Sequence, residues 1–379
     1  MPLINGTVNY SPGDIIITAY YNNEQLETFP TKDSGYTVNS IVCDNDASAS
    51  FDENNWEITV TNFVTKGTKC DVTFVDKVSA KDYILANTEL GTGTPNYSNT
   101  SCSSGCDEAT VGLYTAEDDD GTTYYYRGDV NDNWVKFAGF YWRIIRINGD
   151  GSIRLIYSGD GNAQTTGTGT QIGTSAFNST YGNNMYVGYM YTENQVHGLG
   201  TDSTIKGVLD EWYYNNLEDE AEHIDMNASF CNDRTPYSGT GTGTRSTDYA
   251  AYNRLLNIGT PTFECSNNGD LFTVSSSNRG NQALTYPIGL ITMDEVWYAG
   301  GYTSSNNNFY LYTNSNYWTM SPCNFFAATD HTSVYNVEAA GYIASRGVYL
   351  APGIRPVINL RADVTLTGSG TSTNPYVVN

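Results

Sequence analysis

The chain has 379 residues, enough for two or more domains. Its 41 aspartates and glutamates against 18 lysines and arginines give a formal net charge of -23. Because nucleic acids and anionic lipids are bound through lysine and arginine, this charge balance predicts that neither is a partner.

Residues 1–80 are predicted to form a small β-domain. Turn residues separate its strand-like segments at short intervals, a spacing typical of a β-sandwich. These segments are Asp14–Tyr21, Tyr36–Cys43, Trp56–Phe63 and Cys70–Val75. Trp56 lies between Cys43 and Cys70, and a bridge between these cysteines beside the tryptophan predicts an immunoglobulin-like core.

Six of the seven cysteines fall into local pairs, which predicts disulfides rather than a zinc site. The expected pairs are Cys43 with Cys70, Cys102 with Cys106, and Cys231 with Cys265. Disulfides indicate an oxidising, extracytoplasmic setting, the alternative being buried free thiols in a cytosolic protein. Met1-Pro2-Leu3-Ile4 lacks the basic and apolar regions of a signal peptide, so we expect a cytosolic chain or a segment of a longer protein. The cysteine pairs favour a segment of a longer protein.

Residues 81–110 are rich in Gly, Thr, Ser and Asn and are predicted to be a linker with a short disulfide loop. Residues 111–379 are predicted to form the second domain. Asn148-Gly149 between two β-rich segments predicts a hairpin. Helices are expected at Thr204–Leu217, at Asp248–Leu256, and from a capping box at Thr292 to Gly300. A strand pair is expected within Asp363–Val378.

The segment Tyr317–Leu360 has no clear period of 2 or 3.6 residues between its two ends. It is therefore predicted to consist of display loops held between packed strands. Binding residues concentrate on such loops. The chain also contains 31 tyrosines, whose large rigid rings suit contact surfaces. The alternative is that a β-rich protein uses many aromatic residues in any case.

Several long motifs within Tyr114–Val378 resemble an uncharacterised domain family of surface proteins from gut Firmicutes and their phages. The motifs are Tyr125–Gly128, Trp134–Ser152, Phe230–Arg234, Leu284–Thr292, Tyr317–Pro322 and Arg355–Leu360. The final part also resembles the C-type-lectin-like fold of formylglycine-generating enzymes, which variable proteins of diversity-generating retroelements share.

This resemblance implies a mainly β, α+β fold, with the immunoglobulin-like sandwich followed by a C-type-lectin-like domain that has few short helices and long loops. It implies Trp318, Ser321, Arg355 and Pro356 as scaffold. It also implies a binding face whose codons vary at adenines. The expected ligand-binding residues are Asn324, Phe325, Phe326, Thr329, Asp330, His331, Ser333, Tyr335, Asn336, Ser345, Arg346, Tyr349 and Leu350.

The expected function is recognition of a protein or glycan on another cell surface, by a non-enzymatic protein at a bacterial or phage surface. No segment approaches the roughly 18–20 apolar residues of a membrane span, so we expect no direct membrane insertion. One alternative is a structural pilus or surface-layer subunit. Another is an enzyme of the formylglycine-generating type, in which Cys323 near His331 in sequence would be the nucleophile.

No catalytic residues and no transition-metal site are expected, because His197, His223 and His331 are scattered. Asp129, Asn131 and Asn133 alternate like the start of a calcium loop. Trp134 and Phe140 stand where an EF-hand needs glycine and glutamate, which excludes that motif. A looser structural calcium site and a solvated acidic turn both stay open, and no other cofactor is expected.

Overall fold

The computed structural model describes residues 15–32, 34–53, 55–62, 67–97, 111–275 and 279–378. The chain divides into two compact units, Met1–Val78 and Ser79–Asn379. The first domain therefore ends two residues earlier than the predicted boundary. Cys102 and Cys106 lie outside the described residues.

Six strands form within the described residues of the first unit. They are β1 (Ile15–Tyr21), β2 (Glu24–Gln25), β3 (Tyr36–Cys43), β4 (Ser48–Asp52), β5 (Glu57–Thr61) and β6 (Thr68–Asp76). Four of them form a sheet in the order β2-β1-β6-β3, in which β1 and β6 run parallel, and β4 pairs with β5 as a separate hairpin. Trp56 links the hairpin to the sheet, because its ring lies 5.0 Å from Phe51 and 6.4 Å from Phe74.

The predicted Cys43–Cys70 disulfide forms, but its place in the fold differs from the prediction. Cys43 and Cys70 are directly opposite each other in the antiparallel pair of β3 and β6. The bridge therefore joins neighbouring strands of one sheet, whereas an immunoglobulin core has a bridge between facing sheets.

The second unit begins with helix α1 (Ala80–Asn87), which Ser79 caps by accepting a hydrogen bond from the Asp82 amide. Ala80 and Ile84 of this helix are buried in the main core of the unit. The prediction of a linker over residues 81–110 is thus wrong for this helix. The described residues also form the α-helices α2 (Thr204–Asn216) and α3 (Met293–Ala299).

Most strands of the second unit are short. In chain order they are β7 (Gly112–Asp118), β8 (Gly121–Arg127), β9 (Trp134–Phe137), β10 (Phe140–Ile147), β11 (Ile153–Asp160), β12 (Gly173–Thr174), β13 (Met190–Tyr191), β14 (Thr201–Asp202), β15 (Phe230–Cys231), β16 (Pro236–Ser238), β17 (Thr247–Tyr249), β18 (Leu271–Phe272), β19 (Tyr317–Phe326), β20 (His331–Val337), β21 (Ile343–Gly347), β22 (Gly353–Ile354), β23 (Val357–Leu360), β24 (Leu366–Thr367) and β25 (Tyr376–Val378).

Two larger sheets organise these strands. The first has the order β23-β11-β10-β9-β25-β24, with β8 joining β10 to β7. The second has the order β12-β22-β19-β17-β16, and β20 joins β19 to β21. Strands make up 38% of the residues and helices 15%, so the predicted mainly β, α+β class is confirmed.

The sequence predictions for local elements are confirmed at several places. The Asn148-Gly149 turn joins the antiparallel strands β10 and β11. Thr292 and Glu295 make the reciprocal capping box of α3, and Gly300 ends that helix with a left-handed backbone. The expected helix at Asp248–Leu256 is wrong at its start, where Thr247–Tyr249 is a strand, and continues as a π-helix over Tyr252–Ile258.

Candidate functional site

Three strands form most of the C-terminal segment, so the prediction that it consists of display loops is wrong for Tyr317–Phe326, His331–Val337 and Ile343–Gly347. Turns over residues 327–330 and 348–350 separate or follow these strands. β19 pairs with β20, and β20 with β21, all antiparallel. Two register shifts interrupt the β19–β20 pairing, and nine of the ten residues of β19 are buried. A strand buried on both faces shows no alternation of polar and apolar residues. This explains why the sequence of the segment did not show the two-residue period of a strand.

The four residues expected as scaffold are buried. The Trp318 indole donates to the Ser175 carbonyl at 2.9 Å, and the Ser321 hydroxyl accepts from the Met293 amide at 2.9 Å. Arg355 donates to the carbonyls of Tyr157 and Leu311 at 3.1 and 3.2 Å and lies over the Tyr317 ring. The Pro356 carbonyl accepts from the Tyr157 amide at 2.9 Å.

Five residues expected to contact a ligand lie in the interior instead. They are Asn324, Phe325, Ser333, Tyr335 and Asn336. Ser333 donates to Asn324 Oδ1 at 2.5 Å, and burial raises the pKa of the Tyr335 hydroxyl far above its usual range. A side chain without solvent exposure cannot form a contact surface. These five residues therefore support the sheet and are not part of the candidate binding site.

The other expected residues reach the surface to different degrees. Phe326, Thr329, Asp330, Ser345, Tyr349 and Leu350 are exposed, while His331 and Arg346 are half-buried. The Arg346 guanidinium is already engaged, because its Nη2 lies 2.6 and 2.7 Å from the two carboxylate oxygens of Glu338.

The exposed rings are contiguous with one another and with a tyrosine that the sequence did not single out. Phe326 is directly opposite His331 in the β19–β20 pair, so their side chains lie on the same side of the sheet. The His331 ring centroid lies 6.5 Å from that of Tyr349, which in turn lies 4.8 Å from Tyr181. We call the exposed residues Tyr181, Phe326, Tyr349 and Leu350, together with the half-buried His331, the aromatic face.

Backbone hydrogen bonds fix the segments that carry the aromatic face. The Val348 amide donates to the Thr332 carbonyl, and the Val348 carbonyl accepts from the Asn178 amide, each at 3.1 Å. The buried Thr332 hydroxyl accepts from the Gly182 amide at 3.2 Å and donates to the Asn183 carbonyl at 3.1 Å. The exposed rings are therefore carried by a fixed frame, which lowers the entropy lost on binding.

Gly347 allows two of these rings to approach the sheet. A Cβ atom at this position would lie 2.8 Å from Cε1 of Tyr349 and 3.0 Å from Cε1 of His331. Both distances are shorter than a normal van der Waals contact, so any larger side chain would displace a ring. Glycine at position 347 is thus part of the geometry of the aromatic face.

The unpaired Cys323 lies in strand β19 and is 2% exposed. Burial raises the pKa of its thiol to about 12 in spite of hydrogen bonds from Tyr335 and Ser333, so the nucleophilic thiolate is scarce at neutral pH. A reactive cysteine needs the opposite environment, electropositive and accessible. These surroundings do not support the nucleophile that the enzyme alternative requires.

The sequence offers one further set of candidate ligands, the oxygen-rich segment 129–133. Asn133 is buried, and its Oδ1 accepts from Arg143 Nε at 2.6 Å, so this oxygen is already used inside the protein. Within the described part of the chain, no three or more His, Cys, Asp or Glu side chains are grouped to hold a metal ion.

The second disulfide predicted from sequence, Cys231–Cys265, also forms. Disulfides form and persist in oxidising compartments, so two of them support an extracellular location for the protein. None of the helices in the described ranges combines the length and the apolar character that crossing a bilayer requires.

Comparison with known proteins gives no relative: no family model, no curated protein and no solved structure matches the chain. The geometry of the aromatic face is therefore the basis for assigning a function.

Proposed function

We propose that the second unit is a non-enzymatic binding module that recognises a protein or glycan on another cell through the aromatic face. The observation that carries this proposal is the contiguous set of exposed rings on a hydrogen-bonded frame. Tyr181, Phe326 and Tyr349 are 53%, 49% and 45% exposed. Rigid aromatic side chains that are exposed together are typical of binding surfaces, since they offer large contact area at low entropic cost.

The neighbouring polar side chains fit the same role. Thr329, Asp330 and Ser345 are exposed and supply hydroxyl and carboxylate groups beside the rings. In a recognition surface, aromatic anchors contribute most of the binding energy and polar groups set orientation and specificity. Protein and glycan ligands both use this combination.

The test measures binding of fluorescently labelled protein to intact bacterial cells. We expect saturable binding that weakens at least about tenfold in Tyr181→Ser/Tyr349→Ser, because each lost anchor costs on the order of 1–2 kcal/mol. Tyr214→Ser/Ile258→Ser is the matched control, since those side chains are 56% and 60% exposed on other elements. Protease treatment of the cells should abolish binding to a protein ligand, and periodate treatment should abolish binding to a glycan.

Equal binding by the aromatic-face and control variants would disprove the proposal. A fall in melting temperature specific to Tyr181→Ser/Tyr349→Ser would show that these rings are structural. Absence of saturable binding to every cell type, together with concentration-dependent oligomers in sedimentation, would favour the alternative of a pilus or surface-layer subunit.

We also propose that a retroelement diversifies this surface. Codon changes are tolerated where a side chain meets solvent and makes no ion pair. Among the residues expected to contact the ligand, this favours variation at positions 326, 329, 330, 331, 345, 349 and 350. Sequencing several isolates should reveal a near-copy of the coding segment for Tyr317–Leu360 beside a reverse transcriptase, differing from the gene at adenines in those codons. An invariant segment with no copy would contradict this idea and leave a binder of one fixed ligand.

A further inference from the structure

The loop between β16 and β17 borders the aromatic face and carries an arginine, Arg245, to which no role has been assigned above. The hydroxyl of the next residue, Ser246, accepts a hydrogen bond at 3.0 Å from the amide of Ala327, which opens the turn after β19. The Arg245 carbonyl accepts from Asn184 Nδ2 at 2.7 Å, and Asn184 follows the segment that contains Tyr181. These two bonds place the backbone of Arg245 between segments that carry the exposed rings.

Arg245 differs from the other arginines because the protein does not use its charge. The side chain is exposed, and the guanidinium forms no ion pair, hydrogen bond or ring contact within the described ranges. The other arginines donate to main-chain carbonyls or pair with carboxylates: Arg127, Arg143 and Arg355 in the first group, and Arg146, Arg154, Arg234, Arg254, Arg279, Arg346 and Arg361 in the second. In a chain with a formal net charge of -23, a guanidinium without a carboxylate is an exception.

The charged groups beside the aromatic face fit a ligand that has both a carboxylate and hydroxyl groups. The Arg346 guanidinium is held by both carboxylate oxygens of Glu338, so it is not offered to a ligand. Arg245 is free to bind a carboxylate through two parallel N–H···O bonds, a geometry that only the planar guanidinium provides. Asp330 is exposed on the turn after β19 and forms no ion pair among the described residues, so its oxygens can accept from hydroxyl groups.

The size of the surface favours a glycan over a protein as the ligand. The five residues of the aromatic face have only three exposed polar neighbours among the expected contacts, which are Thr329, Asp330 and Ser345. A standard protein interface uses about 20–30 residues on each side, far more than this surface provides. A few sugar units can cover it. The C–H groups of a sugar ring also pack well on an aromatic ring, because the ring face carries partial negative charge.

From these observations we infer that the ligand is a glycan with isolated carboxylate groups, such as a uronic or sialic acid. Arg245 binds the carboxylate, while Tyr181 and Tyr349 pack on the sugar rings. This inference rests on the proposed binding function of the aromatic face and specifies its class of ligand. The net charge of -23 repels a dense polyanion, whereas a single carboxylate at Arg245 gains a short-range contact that solvent ions screen little.

The experiment measures binding of the labelled full chain to intact bacterial cells whose surface proteins have been removed by protease. Half of these cells are then treated with a water-soluble carbodiimide and methylamine, which converts carboxylates into neutral amides. We expect saturable binding to the untreated cells and an affinity at least about tenfold lower after amidation. Amidation makes the cells less negative, so general attraction of a chain with charge -23 would increase, and the expected loss therefore has the opposite sign.

The decisive variant is Arg245→Gln. It should bind the untreated cells at least about tenfold more weakly than the wild type and should equal the wild type on amidated cells, because both then lack the same ion pair. Lys136→Gln is the matched control. Lys136 is exposed on β9 in the other large sheet and forms no ion pair within the described part of the chain, so its loss should change affinity less than about twofold.

Failure of this inference differs from failure of the proposed function. If no cell type binds the wild type saturably, or if Tyr181→Ser/Tyr349→Ser binds as well as the wild type, the proposed function fails and this inference fails with it. If the double variant loses binding, the acidic glycan alone is overturned by any of four results. These are unchanged binding by Arg245→Gln, equal weakening by Lys136→Gln, loss of wild-type binding after protease, and full wild-type binding after amidation.

Discussion

The ring of Tyr181 packs at 4.8 Å from the ring of Tyr349, although the two residues belong to distant segments of the chain. Both rings are about half exposed, so their contact leaves one side of each ring open to solvent. The pair joins the loop that precedes Asn183 to the turn that follows Gly347, and places an aromatic surface over strand β20.

The first prediction concerns the glycine beneath that surface. Gly347→Ala places a methyl group against Tyr349 and His331, so at least one ring must move. Both rings are partly exposed and can shift outward, so we expect a stability loss below about 1 kcal/mol but several-fold weaker cell binding. Gly207→Ala in α2 is the control, because nothing lies within 4 Å of its added Cβ. A change in binding by the control as large as that by Gly347→Ala would contradict this account.

The second prediction concerns Cys323. Since burial raises the pKa of its thiol to about 12, we expect no reaction with iodoacetamide at about pH 8 in the native protein and complete reaction after unfolding. Mass spectrometry counts the adducts. The variant Cys323→Ala should retain cell binding. Rapid labelling of the native thiol, or catalysis that is lost in this variant, would support the enzyme alternative.

The third prediction concerns the disulfide Cys231–Cys265, which closes a segment with a sequence separation of 34. Replacing both cysteines by serine releases this constraint on the unfolded chain and should cost about 3–4 kcal/mol. Urea denaturation monitored by tryptophan fluorescence measures the loss. The matched variant Cys43→Ser/Cys70→Ser changes only the first unit, so we expect the transition of the second unit to stay in place. A shift of the second unit's unfolding transition in Cys43→Ser/Cys70→Ser would refute this expectation.

The fourth prediction concerns the buried Arg355. Arg355→Met keeps much of the side-chain volume but removes the donors to the carbonyls of Tyr157 and Leu311. We expect a loss of about 2–5 kcal/mol, because buried acceptors lose their partners. Arg361→Met, at an exposed ion pair with Asp363, should cost less than about 1 kcal/mol. Calorimetry compares the two, and similar melting temperatures would argue against a structural role of Arg355.

The fifth prediction is a pH dependence that arises from Glu295. Burial opposes ionisation of this carboxyl, but the charges of Arg154 and Arg146 outweigh burial and lower its pKa below the ordinary value of 4.5. The unfolded chain therefore binds this proton more readily, so the contribution to stability is present above about pH 4.5 and disappears as the pH falls through the folded pKa. The stability difference between wild type and Glu295→Gln in urea should shrink from about pH 7 to about pH 3. A constant difference would exclude this linkage.

Local signals in the sequence predicted much of the fold. The capping box at Thr292 and the Asn148-Gly149 turn each depend on chemistry between residues close in sequence, and both formed. The Cys231–Cys265 pair, which the count and position of the cysteines indicated, also formed. The loop prediction for Tyr317–Phe326 was wrong for a physical reason. Burial on both faces and two register shifts remove the alternation of polar and apolar residues that identifies a strand.

The candidate site was only partly accessible to sequence reasoning. Exposure could not be inferred for Tyr335 or Ser333, because tertiary packing rather than residue type buried them. No sequence pattern identified Tyr181 as a site residue, since its place in the aromatic face depends on a long-range contact with Tyr349. A search confined to the C-terminal segment therefore named five interior residues and missed one ring of the surface.

The two hydrogen bonds of Val348, to the carbonyl of Thr332 and from the amide of Asn178, involve main-chain atoms only. The course of the chain at this turn is consequently independent of which side chains follow at positions 349 and 350. In the binding module that we propose, new residues at these two positions would change the ligand that the surface recognises without changing the course of the backbone. Selection would then act on specificity and on stability separately, and related proteins would exchange targets while keeping one architecture.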